Sequence, residues 1–149
     1  MTAASRRISR RSDFTRTLSK GVRVSARDLV THLAPVGATW PDQSGVRPDV
    51  ASVGGPWLGL IVSKKVGDAV TRHRVARRLR HAFAEVRDEL PVAETFVVLR
   101  ASPSIVQRSS DELAAQLREG FAHRKAQAAF AHVTPGHARA ARLVDEGAR

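Results

Sequence analysis

WLGLIVSKKVGDAVTRHRVARRLRHAFAEVRDEL, residues 57–90, changes its hydrophobic period partway along, and that change sets the architecture. WLGLIVS (57–63) is a continuous apolar run of strand length, the pattern of a buried strand. SKKVGD then reads as a turn. Gly67 tolerates backbone conformations closed to other residues, and Asp68 suits a helix N-cap, where its charge meets the positive end of the helix dipole. From about Ala69 to Leu90, Val75, Leu79, Ala82, Phe83, Val86 and Leu90 recur at spacings of three and four, one stripe of an amphipathic helix. Pro91 stops it. TFVVLRA (95–101) is a further strand, so 57–101 is a strand–helix–strand unit with its helix on one face of a sheet.

Toward the N-terminus, residues 12–20 read as a short helix. Ser12 is its expected N-cap, Phe14 and Leu18 share a face, and Gly21 is its stop. Residues 22–34 carry Val22, Val24, Leu29, Val30, Thr31 and Leu33 in loose alternation, one bent strand or two short ones. Pro35 to Pro56 is rich in proline and glycine and reads as an exposed loop insertion, with Trp40 unexplained inside it. Toward the C-terminus, Ser109-x-x-Glu112 is a capping box opening a helix whose apolar face is Leu113, Leu117, Phe121 and Ala122. Beyond about Arg124 the chain is expected to fray. The economical answer is two-layer α+β: a basic arm over 1–10, a domain over 11–125 containing the 35–56 insertion, and a flexible tail over 126–149.

Charge narrows the function. Across 149 residues, 25 Lys and Arg face 14 Asp and Glu, a formal charge of +11. Such a surplus works against compactness and points to a polyanionic partner, nucleic acid before a membrane surface. No apolar run approaches the ~20 residues that span a bilayer. The absence of cysteine excludes disulfides, thiolate nucleophiles and Cys-type zinc sites, and fits a reducing cytosol. The Arg- and Ser-rich start lacks the apolar centre of a secretory signal; it reads as an RNA-facing arm, with an organelle transit peptide as the alternative.

The surplus is concentrated between Lys64 and Arg80. At 100° per residue, Arg74, Arg77, Arg78 and His81 point away from the stripe through Val75, Leu79 and Phe83. Arg80 and His73 lie at the edge of that arc, and Arg72 falls nearer the apolar side but can reach past the helix end. A solvated face would mix signs, yet Asp68 is the one acid here, so the arginines repel one another unless a ligand meets them. Arginine grips phosphate oxygens in pairs and keeps its charge. A helix reading the DNA major groove would display Asn, Gln or Ser among its arginines; this one displays almost none, which favours RNA recognised by backbone and shape.

SKKVGDAVTRHRVARRLRHAF resembles the signature of the bacterial ribonuclease P protein subunit, approximately S-K-K-x-G-N-A-V-x-R-N-R-x-K-R-x-x-R. Ser63, Lys64, Lys65, Gly67, Ala69, Val70, Arg72, Arg74, Arg77 and Arg80 match it. R-x-x-D-F (Arg10, Asp13, Phe14) with Gly21 looks like the family's first helix, and the resemblance covers roughly 6–125 without the loop. It implies a two-layer α/β sandwich of the ribosomal protein S5 domain 2-like type, with a left-handed βαβ crossover that general rules do not favour. It also implies a cytoplasmic subunit, one per catalytic RNA, that helps this RNA cut the 5′ leader from precursor tRNA. The RNA would hold the Mg²⁺ and perform the hydrolysis, so no catalytic residue is expected on the protein. Lys64, Lys65, Arg72, His73, Arg74, Arg77, Arg78 and Arg80 would contact RNA. A cleft between the first helix, the sheet and the signature helix would hold the leader, with Phe14, Leu18 and His32 lining it. Asp68 and His73 stand where the family usually has asparagines, and Leu18 and His32 where aromatics are common.

Other chemistry is weakly supported. His32, His73, His81, His123, His132 and His137 show no zinc spacing. Glu85, Asp88 and Glu89 form an acidic end to the basic helix, in which a nuclease pair is conceivable, but they read better as a solvated face. VGGP (53–56) lacks the Lys-Ser/Thr of a phosphate-binding loop. The competing reading is a structural RNA-binding protein of ribosomal type, with the same helix and no role in processing.

Overall fold

The computed structural model describes residues 7–35 and 55–133. Helix α1 (Arg11–Lys20) is followed by strands β1 (Val22–Ser25), β2 (Leu29–Pro35) and β3 (Trp57–Ile61). Helix α2 (Ala69–Val86), a 3₁₀ turn (Arg87–Glu89), β4 (Thr95–Ala101), a 3₁₀ segment (Pro103–Gln107) and α3 (Ser110–Ala122) complete the order. A further helix, α4, covers residues 124–133. The mixed sheet runs β1-β2-β4-β3; β1/β2 and β2/β4 are antiparallel, and β3/β4, the pair joined through α2, is parallel. The chain is therefore α+β, with residues 22–34 divided into two strands.

Side chains alternate across the sheet. Val97, Leu99 and Ala101 of β4, with Leu33 and Leu29 opposite them on β2, enter the main core beneath α2 and α3. Val75, Leu79, Ala82, Phe83 and Val86 meet them there, as the stripe predicts. Each fully buried Val, Leu or Phe among them contributes about 1.5–3 kcal/mol. Phe96, Val98 and Arg100 take the other face, and α1 lies over that side: Phe14 packs so closely on Gly59 that a Cβ there would stand 2.6 Å from Cε2 of the ring. Two layers therefore account for α2 and α3, while α1 adds a partial third.

Four local expectations are corrected. Ser12 lies inside α1, and the N-cap is Arg10, which makes no side-chain cap bond. The helix starts early because Ile8 N–H is already tied to Leu58 O of β3, at 3.0 Å. Gly21 does cap α1, but in extended conformation (φ −76°, ψ 168°); a Cβ would lie 2.7 Å from Leu33 O, so close approach is what requires glycine. The α-helical backbone of α2 ends at Val86, four residues before Leu90. Leu90 is extended (φ −68°, ψ 130°), as a residue before proline must be, yet its side chain stays buried in the stripe. Lastly, the chain does not fray after Arg124. Residues 124–133 are helical because Ala126 and Phe130, four apart, close the core. Most of the arm expected over 1–10 (residues 1–6), most of the loop with Trp40 (36–54) and the rest of the tail with His137 (134–149) lie outside the described residues.

Candidate nucleic-acid interface

The basic surface is built on a plugged turn. Val66 N–H donates to Ser63 O at 3.0 Å and Gly67 N–H to Lys64 O at 3.2 Å. Val66 sinks into the core, so Lys64 and Lys65 stay exposed. Asp68 then caps α2, its Oδ1 accepting from Thr71 N–H at 2.8 Å. That bond above all, with the nearby Arg74 and Arg72, holds the Asp68 carboxyl below the usual carboxylate range. Its charge is thus directed at the helix end.

His73, Arg74, Arg77 and Arg80 are exposed along α2. Among the described residues Lys64, Lys65, Arg74, Arg77 and Arg80 form no ion pair. Two expected members have internal duties. Arg72 Nε donates to Gly67 O at 3.2 Å, folding back over the turn. Arg78 Nη1 donates to Val106 O at 2.9 Å and Arg108 O at 3.3 Å, which docks the 3₁₀ segment on α2. The acidic end of the helix is occupied as well: Arg118 of α3 pairs with Glu89 at 3.0 Å and lies 4.0 Å from Glu85.

Phe14, Leu18 and His32 fall on the α1 side of the sheet, but not in one place. A cavity of about 460 Å³ opens between α1, the β3 edge and α2. Phe14, Gly59 and Phe83 line it with Arg7, Arg80 and Arg87, whereas Leu18 and His32 do not. His32 lies two strands away from Gly59, between Arg23 of β1 and Val98 of β4. It is 6% exposed, and neither ring nitrogen has a hydrogen-bond partner. Burial first, then the charges of Arg100 and Arg23, push its pKa down, so a neutral ring is favoured. Arg87 escapes the sequence reading although it lies seven residues after Arg80, hence on the same helical face. Arg7 falls in the basic arm expected over 1–10, but its parallel bridge to Leu58 is what brings it to the cavity.

Asp28 gave no signal either. Fully buried after β1, it accepts from Ser104 Oγ at 2.5 Å, Gln116 Nε2 at 2.6 Å and Arg108 Nε at 2.7 Å. Burial alone would raise its pKa, but these bonds and the Arg108 charge outweigh that and hold it low. Among the described residues no three His, Asp or Glu gather where they could hold a metal ion. Nor is any described helix long and apolar enough to cross a membrane.

Comparison with known proteins bears on the family and the fold. The family model described as Ribonuclease P matches residues 2–125. The ribonuclease P protein component of Nocardia farcinica is 47% identical over 123 residues, covering 77% of this chain and 78% of that one. That of Corynebacterium efficiens is 41% identical over 124 residues, covering 81% and 92%. In fold, a Staphylococcus aureus RNase P protein superposes with a TM-score of 0.57 at 23% identity, over 78% of this chain and 92% of that one. The Thermotoga maritima RNase P protein gives 0.58 at 17% identity, over 76% and 92%. With its cationic helix, its α+β sheet and these relatives together, the chain belongs to the ribonuclease P protein family.

Proposed function

We propose that one copy of this chain docks the catalytic RNA of ribonuclease P against the 63–68 turn and the exposed face of α2. Lys64, Lys65, His73, Arg74, Arg77 and Arg80 make the phosphate contacts, while Arg72 and Arg78 shape the surface that presents them. The 5′ leader of precursor tRNA passes along the α1 side of the sheet. Phe14 offers a base an aromatic face there, worth about 1–3 kcal/mol in stacking. The RNA supplies the Mg²⁺ and the hydrolysis; the protein holds RNA and leader in register for endonucleolytic removal of the leader. The β3–α2–β4 crossover is read as left-handed, in the ribosomal protein S5 domain 2-like manner. The observation that carries this reading is the run of exposed cations on α2, which form no ion pair among the described residues, beside a cavity walled by Phe14.

Reconstitution tests it. The protein should restore precursor-tRNA cleavage by its cognate RNA at low Mg²⁺; an RNA that cuts equally well alone there would leave only structural RNA binding. Arg74→Ala should lower the log–log salt slope of RNA binding by roughly 0.7–0.9, one phosphate contact. Phe14→Ala should weaken precursor tRNA more than mature tRNA, and equal losses would remove Phe14 from the leader path.

A further inference from the structure

The outer face of α1 has no part in the function proposed above, and its composition is unusual. In RSDFTRTLSK the sole acid, Asp13, is buried, as is Thr17, while Phe14 and Leu18 are half-buried on the same side. Ser12, Thr15 and Ser19 fall within about 60° of arc on the opposite side. All three are exposed. Arg11 borders this hydroxyl stripe on one side; Arg16 and Lys20 border it on the other. Together these six residues line a shallow groove along the helix. Arg11 and Lys20 stand about 14 Å apart along the axis, so the stripe has a cation at each end.

We propose that this face is a second RNA-docking surface, and that its partner is a double-helical segment of the catalytic RNA distinct from the one against α2. The inference rests on the proposed function in taking the catalytic RNA as the partner. Cations flanking hydroxyls suit phosphate oxygens and 2′-hydroxyls, which an RNA duplex displays across its shallow minor groove. A single strand is recognised chiefly by stacking on aromatic rings. This face has none, since Phe14 turns inward, so the leader is a poor occupant. Because α1 and α2 lie on opposite faces of the sheet, two surfaces would let the protein brace two parts of the RNA against each other.

The test uses the full chain and the catalytic RNA without precursor tRNA. Arg11→Gln with Lys20→Gln should lower the log–log salt slope by about 1.4–1.8, the share of two phosphate contacts, and leave thermal unfolding unchanged. Ser12→Ala, Thr15→Ala and Ser19→Ala together should weaken binding with little change in slope. The chain has no cysteine, so Thr15→Cys and the exposed Val70→Cys of α2 each carry one photo-crosslinker. Crosslinks from the two positions should map to separate RNA segments. An unchanged slope in the Arg11/Lys20 variant, or an effect that appears only when precursor tRNA is present, would overturn the proposal. Arg74→Gln with Arg77→Gln, measured in parallel, separates the two readings. If those variants lose binding and the α1 variants do not, only this inference fails; if neither set does, the docking of RNA on α2 fails with it.

Discussion

By position His32 is a candidate for the leader path, yet it is buried away from the cavity, with both ring nitrogens unpartnered and arginines nearby. Its folded pKa is depressed below the ordinary 6.5, so on acidification the unfolded chain takes up this proton first. Stability should therefore fall as pH drops below about 6.5. Urea unfolding at about pH 7.5 and 5.5 should show that loss, and in His32→Leu the difference should shrink. Equal losses in both proteins would assign the pH dependence elsewhere. The same scale explains Arg72 and Arg78. Helical angles placed Arg72 near the apolar side, which is why it folds onto Gly67 O. They also placed Arg78 on the free arc, but a helical wheel does not know that the 3₁₀ segment arrives on that flank. Gly59 is a third case: read as one more apolar strand residue, it is the space into which Phe14 fits.

Helix α2 was legible almost in full, because its signals are local. A capping aspartate, an apolar stripe and a proline past the end act on neighbours a few residues away, whatever the rest of the chain does. The cap makes a prediction in which geometry and charge separate. Asp68→Asn keeps a good N-cap and removes a negative charge beside the arginines, so stability should hold while RNA binding tightens. Asp68→Ala keeps neither cap nor charge, and its melting midpoint should drop. A fall of equal size for Asn and Ala, by thermal melting, would mean that charge rather than the cap bond holds the helix start. The capping box of α3 was equally legible: Ser109 Oγ accepts from Glu112 N–H at 3.1 Å, and Glu112 accepts from Ser109 N–H at 2.9 Å. The start of α1 was not, since Ser12 looks like a cap and only the pairing of Ile8 with Leu58 moves the boundary.

At the scale of the molecule, two features depend on contacts far apart in sequence. Asp28 joins the β1–β2 connection to Ser104, Arg108 and Gln116, across 76 to 88 positions. Helix α4 extends past the family match at residue 125 and seats Ala126 and Phe130, 2% exposed at the latter, in the core. Phe130→Ala should therefore cost about 3–5 kcal/mol in chemical unfolding, where a frayed tail would cost nothing measurable. The order and kind of the elements, the two-faced basic helix and the family are legible in the chain alone, because period, caps and an ungapped signature are short-range properties. Tertiary structure alone decided which cations remain free, where α1 lies, that His32 leaves the cavity and that Asp28 ties three elements together. Burial and hydrogen bonding at those residues depend on partners that only folding brings within reach.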